Sequence, residues 1–325
     1  MPTGHITLLT TGGTIAGRGA HAGNASDYVA GSMSATDLLT ALGHPDDLPR
    51  IETRELLSID SKDMTPEHWL MIARAVEAAR ASASCQGVVI THGTDTLEET
   101  AWFLHLVCSP GKPVVLTAAM RPATALSADG PMNLYQALCV AALPEARDHG
   151  VLVVMNDQIL AAAEIAKTHT HALDAIAAPR TGTVGNASER TFCRPPAPGS
   201  AGCVPLATLQ DDATLPEVDI LHVAAGSRPA LLAEAHERAC AGVVLALPGN
   251  GSLPDTWRDA ALAAVDNGVR VIRSSRVANG SISTRTAAIL PGSGVLNPLQ
   301  ARIALMLELA TGTSGLFARL AAGHG

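Results

Sequence analysis

Aromatic residues are scarce: three Trp, two Tyr and three Phe occur among 325 residues, so any core is built mainly from aliphatic side chains. That scarcity makes Tyr28, set among polar and glycine residues, conspicuous. Charge is sparse too, at 16% of residues, and 30 acidic side chains outnumber 22 basic ones for a net charge of −8. An acidic chain is repelled by phosphate backbones and anionic lipid, which argues against nucleic acid or a membrane surface as partner. No apolar run approaches the roughly 20 residues that cross a bilayer, and the first residues lack the basic, apolar and small-residue zones of a signal peptide. The expected location is the cytoplasm. The six cysteines, at 85, 108, 139, 193, 203 and 240, show no Cys-x-x-Cys spacing and are too dilute for a disulfide scaffold, leaving buried free thiols as the expectation.

What is present is apolar material, 47% of the chain, in a length that exceeds the roughly 100–200 residues of one typical domain. Short apolar runs at Ile6–Thr10, Val88–Ile90, Val114–Leu116, Val151–Met155, Ile220–Ala224, Val243–Leu247 and Val269–Ile272 read as buried strands. Between them, Thr65–Arg80, Asp95–Val107, Gly130–Leu143, Pro229–Cys240 and Pro254–Asn267 read as helices. The expected class is α/β with mainly parallel strands: a larger amino-terminal domain over residues 1–190, a Pro-rich linker over 191–217 and a smaller carboxy-terminal α/β domain over 218–325. Open parallel sheets bind ligands beyond the carboxyl ends of their strands, which directs attention to the loops after Thr10, Ile90 and Leu116.

Each of those loops is polar. Thr10-Thr11-Gly12-Gly13-Thr14 sets two hydroxyl residues around a pliable glycine pair. Gly17-Arg18-Gly19-Ala20-His21-Ala22 fits a permissive dinucleotide fingerprint but opens a glycine-rich loop rather than a helix, so no nucleotide cofactor is expected. Thr91-His92-Gly93-Thr94-Asp95-Thr96 stands at a strand-to-helix turn, where Thr and Asp serve either as helix caps or as chemistry beside backbone N–H donors. In Thr117-Ala118-Ala119-Met120-Arg121-Pro122, followed by Ser127-Ala128-Asp129-Gly130-Pro131, Asp129 is a candidate helix cap and Arg121 a structural tie. His169-Thr170-His171 lacks acidic or cysteine partners at ligand spacing, so no metal site is expected.

Thr11-Gly12-Gly13-Thr14-Ile15-Ala16, Thr91-His92-Gly93-Thr94-Asp95-Thr96 and Ala119-Met120-Arg121-Pro122 together resemble the bacterial L-asparaginase/glutaminase family. The resemblance continues through Lys167-Thr168, Gly249-Asn250-Gly251, Ser274-Ser275-Arg276-Val277 and Leu296-Asn297-Pro298. It implies a cofactor-independent amidohydrolase for a small amino-acid amide, converting L-asparagine to L-aspartate and ammonia with L-glutamine as a minor substrate, in a homotetramer built from active dimers. On this resemblance Thr14 is the nucleophile and Tyr28 the lid residue that orients it. Thr94, Asp95 and Lys167 form a second catalytic group, Ser61 and Asp95 hold the substrate's α-carboxylate and α-ammonium, Ala119 contributes near the oxyanion, and Asn250 reaches the neighbouring subunit's site.

Two departures bear on substrate. Lys62 stands where better-known periplasmic members carry a neutral glutamine beside the amino group, and a cation there repels an α-ammonium unless it turns to solvent or pairs with Asp60 or Asp63. The stretch 277–287 also lacks the glutamate that a partner subunit contributes to the same group. The alternatives are an amide altered at its α-amino end and a non-catalytic amino-acid sensor. Cys85 and Cys108 fall near positions that form a disulfide in some secreted relatives, and thiols are expected here.

Overall fold

The computed structural model describes residues 4–19, 28–29, 31–43, 45, 47–196, 201–283 and 290–322, apart from the Tyr28 side chain. The chain divides into two compact units, one running to Pro196 and including Ala201–Leu206, the other continuing from Ala207.

In the first unit the strands are β1 (His5–Gly12), β2 (Arg18–Gly19), β3 (Tyr28–Val29), β4 (Arg50–Ile59), β5 (Cys85–Thr91), β6 (Val114–Thr117), β7 (Val151–Met155), β8 (Gln158–Ala161), β9 (Ala166–Lys167), β10 (Ile176–Ala177), β11 (Gly185–Asn186) and β12 (Thr191–Phe192). The helices are α1 (Ala35–Ala41), α2 (Pro66–Ala81), α3 (Leu97–Val107) and α4 (Gly130–Ala141). The main sheet among the described residues has the order β12-β11-β8-β7-β6-β5-β1-β4. From β4 to β7 neighbouring strands are parallel, while β8 turns back against β7 through Asn156 and Asp157, both at positive φ.

Side-chain alternation explains the layering. On one face Ile6, Leu8, Val89, Val115 and Leu152 pack with Leu134, Ala137 and Leu138 of α4 and Leu38 of α1. Helices α2 and α3 also pack on the sheet and bury Trp69, Trp102 and Phe103, so three of the eight aromatics are spent in one layer. Helix starts follow local chemistry: Ser34 and Asp37 form a reciprocal cap on α1, and Pro66 occupies the first turn of α2 after Thr65.

The strand order places the site. The chain leaves β1 for β4 on one side and returns to β5 on the other, so the connections out of β1 and β5 diverge and leave a crevice beyond their carboxyl ends.

The second unit contains β13 (Val218–His222), α5 (Ala230–Ala233), β14 (Gly242–Leu247), α6 (Asp255–Asp266), β15 (Arg270–Ser275), α7 (Pro298–Thr311) and α8 (Leu316–Ala322). Its three strands are parallel in the order β13-β14-β15. Trp257 and Ala261 of α6 pack with Leu232, Leu245 and Val271 in its core. The Asn297 side chain caps α7.

The mainly parallel α/β class holds, and three readings are corrected. The helix expected over Pro229–Cys240 ends at Ala233; the chain continues in turns and Ala239 adopts φ 56 as it enters β14. Strand β4 escaped notice because its side chains are mostly exposed or half-buried and carry charge, so it has no apolar run. Helix α3 starts at Leu97 rather than Asp95, because Ser61 engages both residues before it: its Oγ accepts from the Asp95 N–H, and its carbonyl accepts from the Thr96 hydroxyl.

Candidate active site

The crevice is assembled by backbone proximity. Gly12 and Gly13 have φ of 102° and 79°, a region open to glycine and strained for residues with a Cβ. A Cβ on Gly13 would lie 2.4 Å from the Gly93 nitrogen, and one on Gly93 would lie 2.5 Å from Ser61 Oγ. These contacts draw the loops after β1, β4 and β5 together and set Thr14, Ser61 and Thr94 around one place. Thr14 opens a 3-10 turn over Thr14–Ala16 and is buried at 7% exposure. Gly130 passes against this turn, its imaginary Cβ 3.0 Å from Ile15.

Beyond β5, Lys167 Nζ donates to Thr94 Oγ1 at 3.0 Å and to Asp95 Oδ1 at 2.5 Å. An ammonium held this way keeps its remaining donor capacity near the Thr94 hydroxyl while the carboxylate balances its charge. Lys167 is mostly buried and Asp95 about half exposed, with side-chain exposures of 18% and 54%. Asp95 therefore has room to meet a charged ligand.

The loop is braced from behind by His92, fully buried at 0% exposure. Its Nδ1 faces the Gly93 carbonyl at 2.7 Å, so that nitrogen carries the proton and donates; Nε2 then accepts from the Thr100 hydroxyl at 2.9 Å. Thr100 Oγ1 in turn accepts from Trp69 Nε1 at 3.1 Å. Burial pushes the His92 imidazole down to about 4, so it is neutral at ordinary pH. In the first turn of α3, burial pushes the Glu98 carboxyl up to about 7, against a hydrogen bond from the Lys167 backbone.

After β6 lies Ala119, buried at 0% exposure. Neither its N–H nor that of Thr94 has a hydrogen-bond partner among the described residues. Asp129 does not cap α4 with its side chain as the sequence suggested. Its two oxygens instead accept from the Met120 and Arg121 N–H groups, each at 2.9 Å, while Arg121 Nη1 donates to the Ser127 carbonyl.

Ser61 is 2% exposed. The neighbouring Lys62 has turned onto its own loop, Nζ donating to Asp60 Oδ2 and Asp63 Oδ2, both at 3.0 Å. Those carboxylates raise the ammonium's affinity for its proton.

Of the residues singled out in the sequence, Thr14, Ser61, Thr94, Asp95 and Lys167 converge in the first unit through the contacts above. Tyr28 begins β3 opposite Gly19, and its side chain lies outside the described residues. Asn250 belongs to the second unit, where it lines a cavity of about 160 Å³ with Ser275, Asn279 and Asn297. The stretch lacking a glutamate runs into residues 284–289, also outside the described part. The dinucleotide-like segment begins as β2 rather than a helix, and its continuation falls outside too. Sequence reasoning passed over His92 as a brace and Asn133 altogether; a polar residue on the apolar stripe of α4 was the available signal.

Cys85 and Cys108 are buried free thiols. His169 is exposed and its Nδ1 accepts from the His171 and Ala172 N–H groups. No cluster of His, Cys, Asp or Glu suited to a metal occurs among the described residues, and no described helix is long and apolar enough to cross a membrane.

Residues 5–196 match the family model described as asparaginase, N-terminal, and residues 217–315 match the glutaminase/asparaginase C-terminal domain. The chain is 40% identical over 313 residues to a probable periplasmic L-asparaginase of Haemophilus influenzae, covering 94% of this chain and 88% of that protein. It is 36% identical over 308 residues to L-asparaginase 2 of Bacillus subtilis, covering 94% and 82%. A probable cytoplasmic L-asparaginase from Campylobacter jejuni superposes with a TM-score of 0.88 at 35% identity, covering 97% of this chain and 99% of that one.

Proposed function

The chain belongs to the asparaginase family, and from that premise we propose that it hydrolyses L-asparagine to L-aspartate and ammonia, with L-glutamine as a minor substrate. The observation that carries the reading is Lys167 Nζ bridging Thr94 Oγ1 and Asp95 Oδ1 beside the glycine-packed Thr14 loop.

In the proposed reaction Thr14 Oγ1 attacks the side-chain amide carbon. Its proton passes to the departing nitrogen, ammonia leaves, and an ester joins Thr14 to the aspartyl group. The Thr94 and Ala119 N–H groups are suited to hold the oxyanion, since donors fixed before charge develops need no reorganisation. Water held at the Thr94 hydroxyl, which the Lys167 ammonium polarises, then attacks the ester carbonyl and passes a proton to Thr14 Oγ1 as the ester opens, which restores the hydroxyl. Tyr28 is proposed to orient Thr14 from the lid. Ser61 and Asp95 hold the α-carboxylate and α-ammonium, and Asn250 contributes from a neighbouring subunit of a homotetramer of active dimers.

The neutralisation of Lys62 by Asp60 and Asp63 favours an ordinary α-ammonium over the altered-amine alternative, because the local charge facing the substrate is not cationic. We place the protein in the cytoplasm, as the Campylobacter neighbour's description has it for that protein.

Ammonia release from L-asparagine by the wild type, Thr14→Ala and Thr94→Val tests the reading. Turnover by the wild type and a loss of three or more decades in each variant is expected. Undiminished turnover in both variants would overturn the mechanism, and binding without turnover by the wild type would favour a sensor.

A further inference from the structure

The Ala118–Arg121 turn contains an asymmetry in its hydrogen bonding. Asn133, on α4 and only 2% exposed, donates from Nδ2 to the Ala118 carbonyl at 2.9 Å and to Asp129 Oδ2 at 3.1 Å. Its Oδ1 accepts from the Asn156 N–H at 2.9 Å, tying the turn to the β7–β8 hairpin. Asp129 accepts from the Met120 and Arg121 N–H groups. The Ala118 carbonyl and the Met120 N–H are therefore held, while the Ala119 N–H and Ala119 carbonyl between them have no partner among the described residues.

Those four groups belong to two peptide planes. A trans peptide is rigid, and its C=O and N–H point in opposite directions. Fixing the Ala118 carbonyl therefore aims the Ala119 N–H, and fixing the Met120 N–H aims the Ala119 carbonyl. Buried peptide groups without partners are rare and costly. A donor and an acceptor left open side by side, each held from its far end, match a primary amide at reaction: the oxyanion takes a donor, and the departing –NH2 takes an acceptor.

We infer that Asn133 and Asp129 are positioning residues, Asn133 aiming the Ala119 N–H at the oxyanion and Asp129 aiming the Ala119 carbonyl at the leaving nitrogen. This rests on the amidohydrolase reading above. Neither residue touches substrate; each acts through a peptide plane.

The test compares full-length wild type, Asn133→Ala, Asn133→Ser and Asp129→Asn on L-asparagine and on L-aspartate β-methyl ester, whose leaving oxygen has no N–H to offer. Folding is followed by circular dichroism and Tm, and rates are expressed per folded molecule. Both Asn133 variants are expected to lose about 100-fold in kcat on amide and ester alike, with KM within about threefold, as for a misaimed transition-state contact. Asp129→Asn keeps its shape but turns an amide N–H toward a backbone donor. It is expected to lose about tenfold more on the amide than on the ester.

Wild-type kcat per folded molecule in all three variants would overturn the inference, and so would losses confined to KM or to Tm. An amide-to-ester ratio unmoved by Asp129→Asn would overturn the half assigned to that residue. A wild type inactive on L-asparagine would instead defeat the reading on which the inference rests.

Discussion

Gly13 and Gly93 touch backbone to backbone: a Cβ on Gly13 would lie 2.4 Å from the Gly93 nitrogen. This contact joins the Thr14 loop to the Thr94 loop, so the spacing of the two threonines depends on a side chain being absent. Gly13→Ala would add both this clash and a Cβ at φ 79°. A loss of about 1–3 kcal/mol in stability is expected, with kcat/KM for L-asparagine down at least 100-fold from a displacement of about 1 Å. Urea unfolding and ammonia release on the same preparation check both; a fully active variant would disconnect the contact from catalysis.

Lys167 is the next point of failure. Lys167→Met removes the donor to Thr94 and Asp95 but keeps most of the aliphatic stem, so folding should change little for a pair whose acid is half exposed. Turnover should fall by about 10²–10⁴, the usual worth of a proton-transfer group. Retention of more than a tenth of wild-type kcat would remove Lys167 from the proposed chemistry.

The Lys62 clamp makes a prediction about affinity rather than rate. Asp60→Asn combined with Asp63→Asn leaves the Lys62 ammonium unbalanced. KM for L-asparagine should rise severalfold at low ionic strength, and the increase should shrink as salt screens it, with kcat unchanged. A KM that ignores both the substitutions and the salt would show that Lys62 faces away from the substrate's amino group.

One buried and one half-buried group beside the site oppose each other in acid. The His92 imidazole is held at about 4 against an ordinary 6.5, so between those values the unfolded chain binds a proton that the folded chain refuses. Its stabilisation is complete above pH 6.5 and falls by about 3 kcal/mol as pH drops to 4. Glu98, raised from 4.5 to about 7, works the other way, because the folded protein binds the extra proton and gains stability as pH falls from 7 to 4.5. Glu98→Gln should therefore steepen the loss of stability between pH 7 and 4.5 in urea titrations. A profile parallel to the wild type would show that Glu98 titrates normally.

Much of the site could be read from sequence because its residues occur in short local signals. The hydroxyls and glycines of Thr11-Gly12-Gly13-Thr14 and Thr91-His92-Gly93-Thr94-Asp95 follow buried apolar strands, and strand ends are where an open parallel sheet exposes its chemistry. The same local logic found α2 and α6, whose boundaries are marked by Thr65-Pro66 and Pro254. It failed where a neighbour in space decides the outcome. Ser61 engages Asp95 and Thr96 and delays α3 by two residues, β4 is a strand because β1 pairs with it, and Asp129 serves a preceding loop rather than its own helix.

By itself, then, the sequence determined the α/β class and the polar strand-end loops, since periodicity and turn chemistry are local properties of the chain, and the resemblance of those loops to the asparaginase family implied an amide-cleaving site. Tertiary structure decided which of those residues meet and which way their polar groups point. Lys167 reaches Thr94 across 73 positions, Lys62 is neutralised by how its own turn folds back, and the Ala119 peptide is aimed by side chains that lie after it in the chain. Such relationships depend on close packing and on the cost of leaving buried polar groups unpaired, conditions that exist only once the chain is folded.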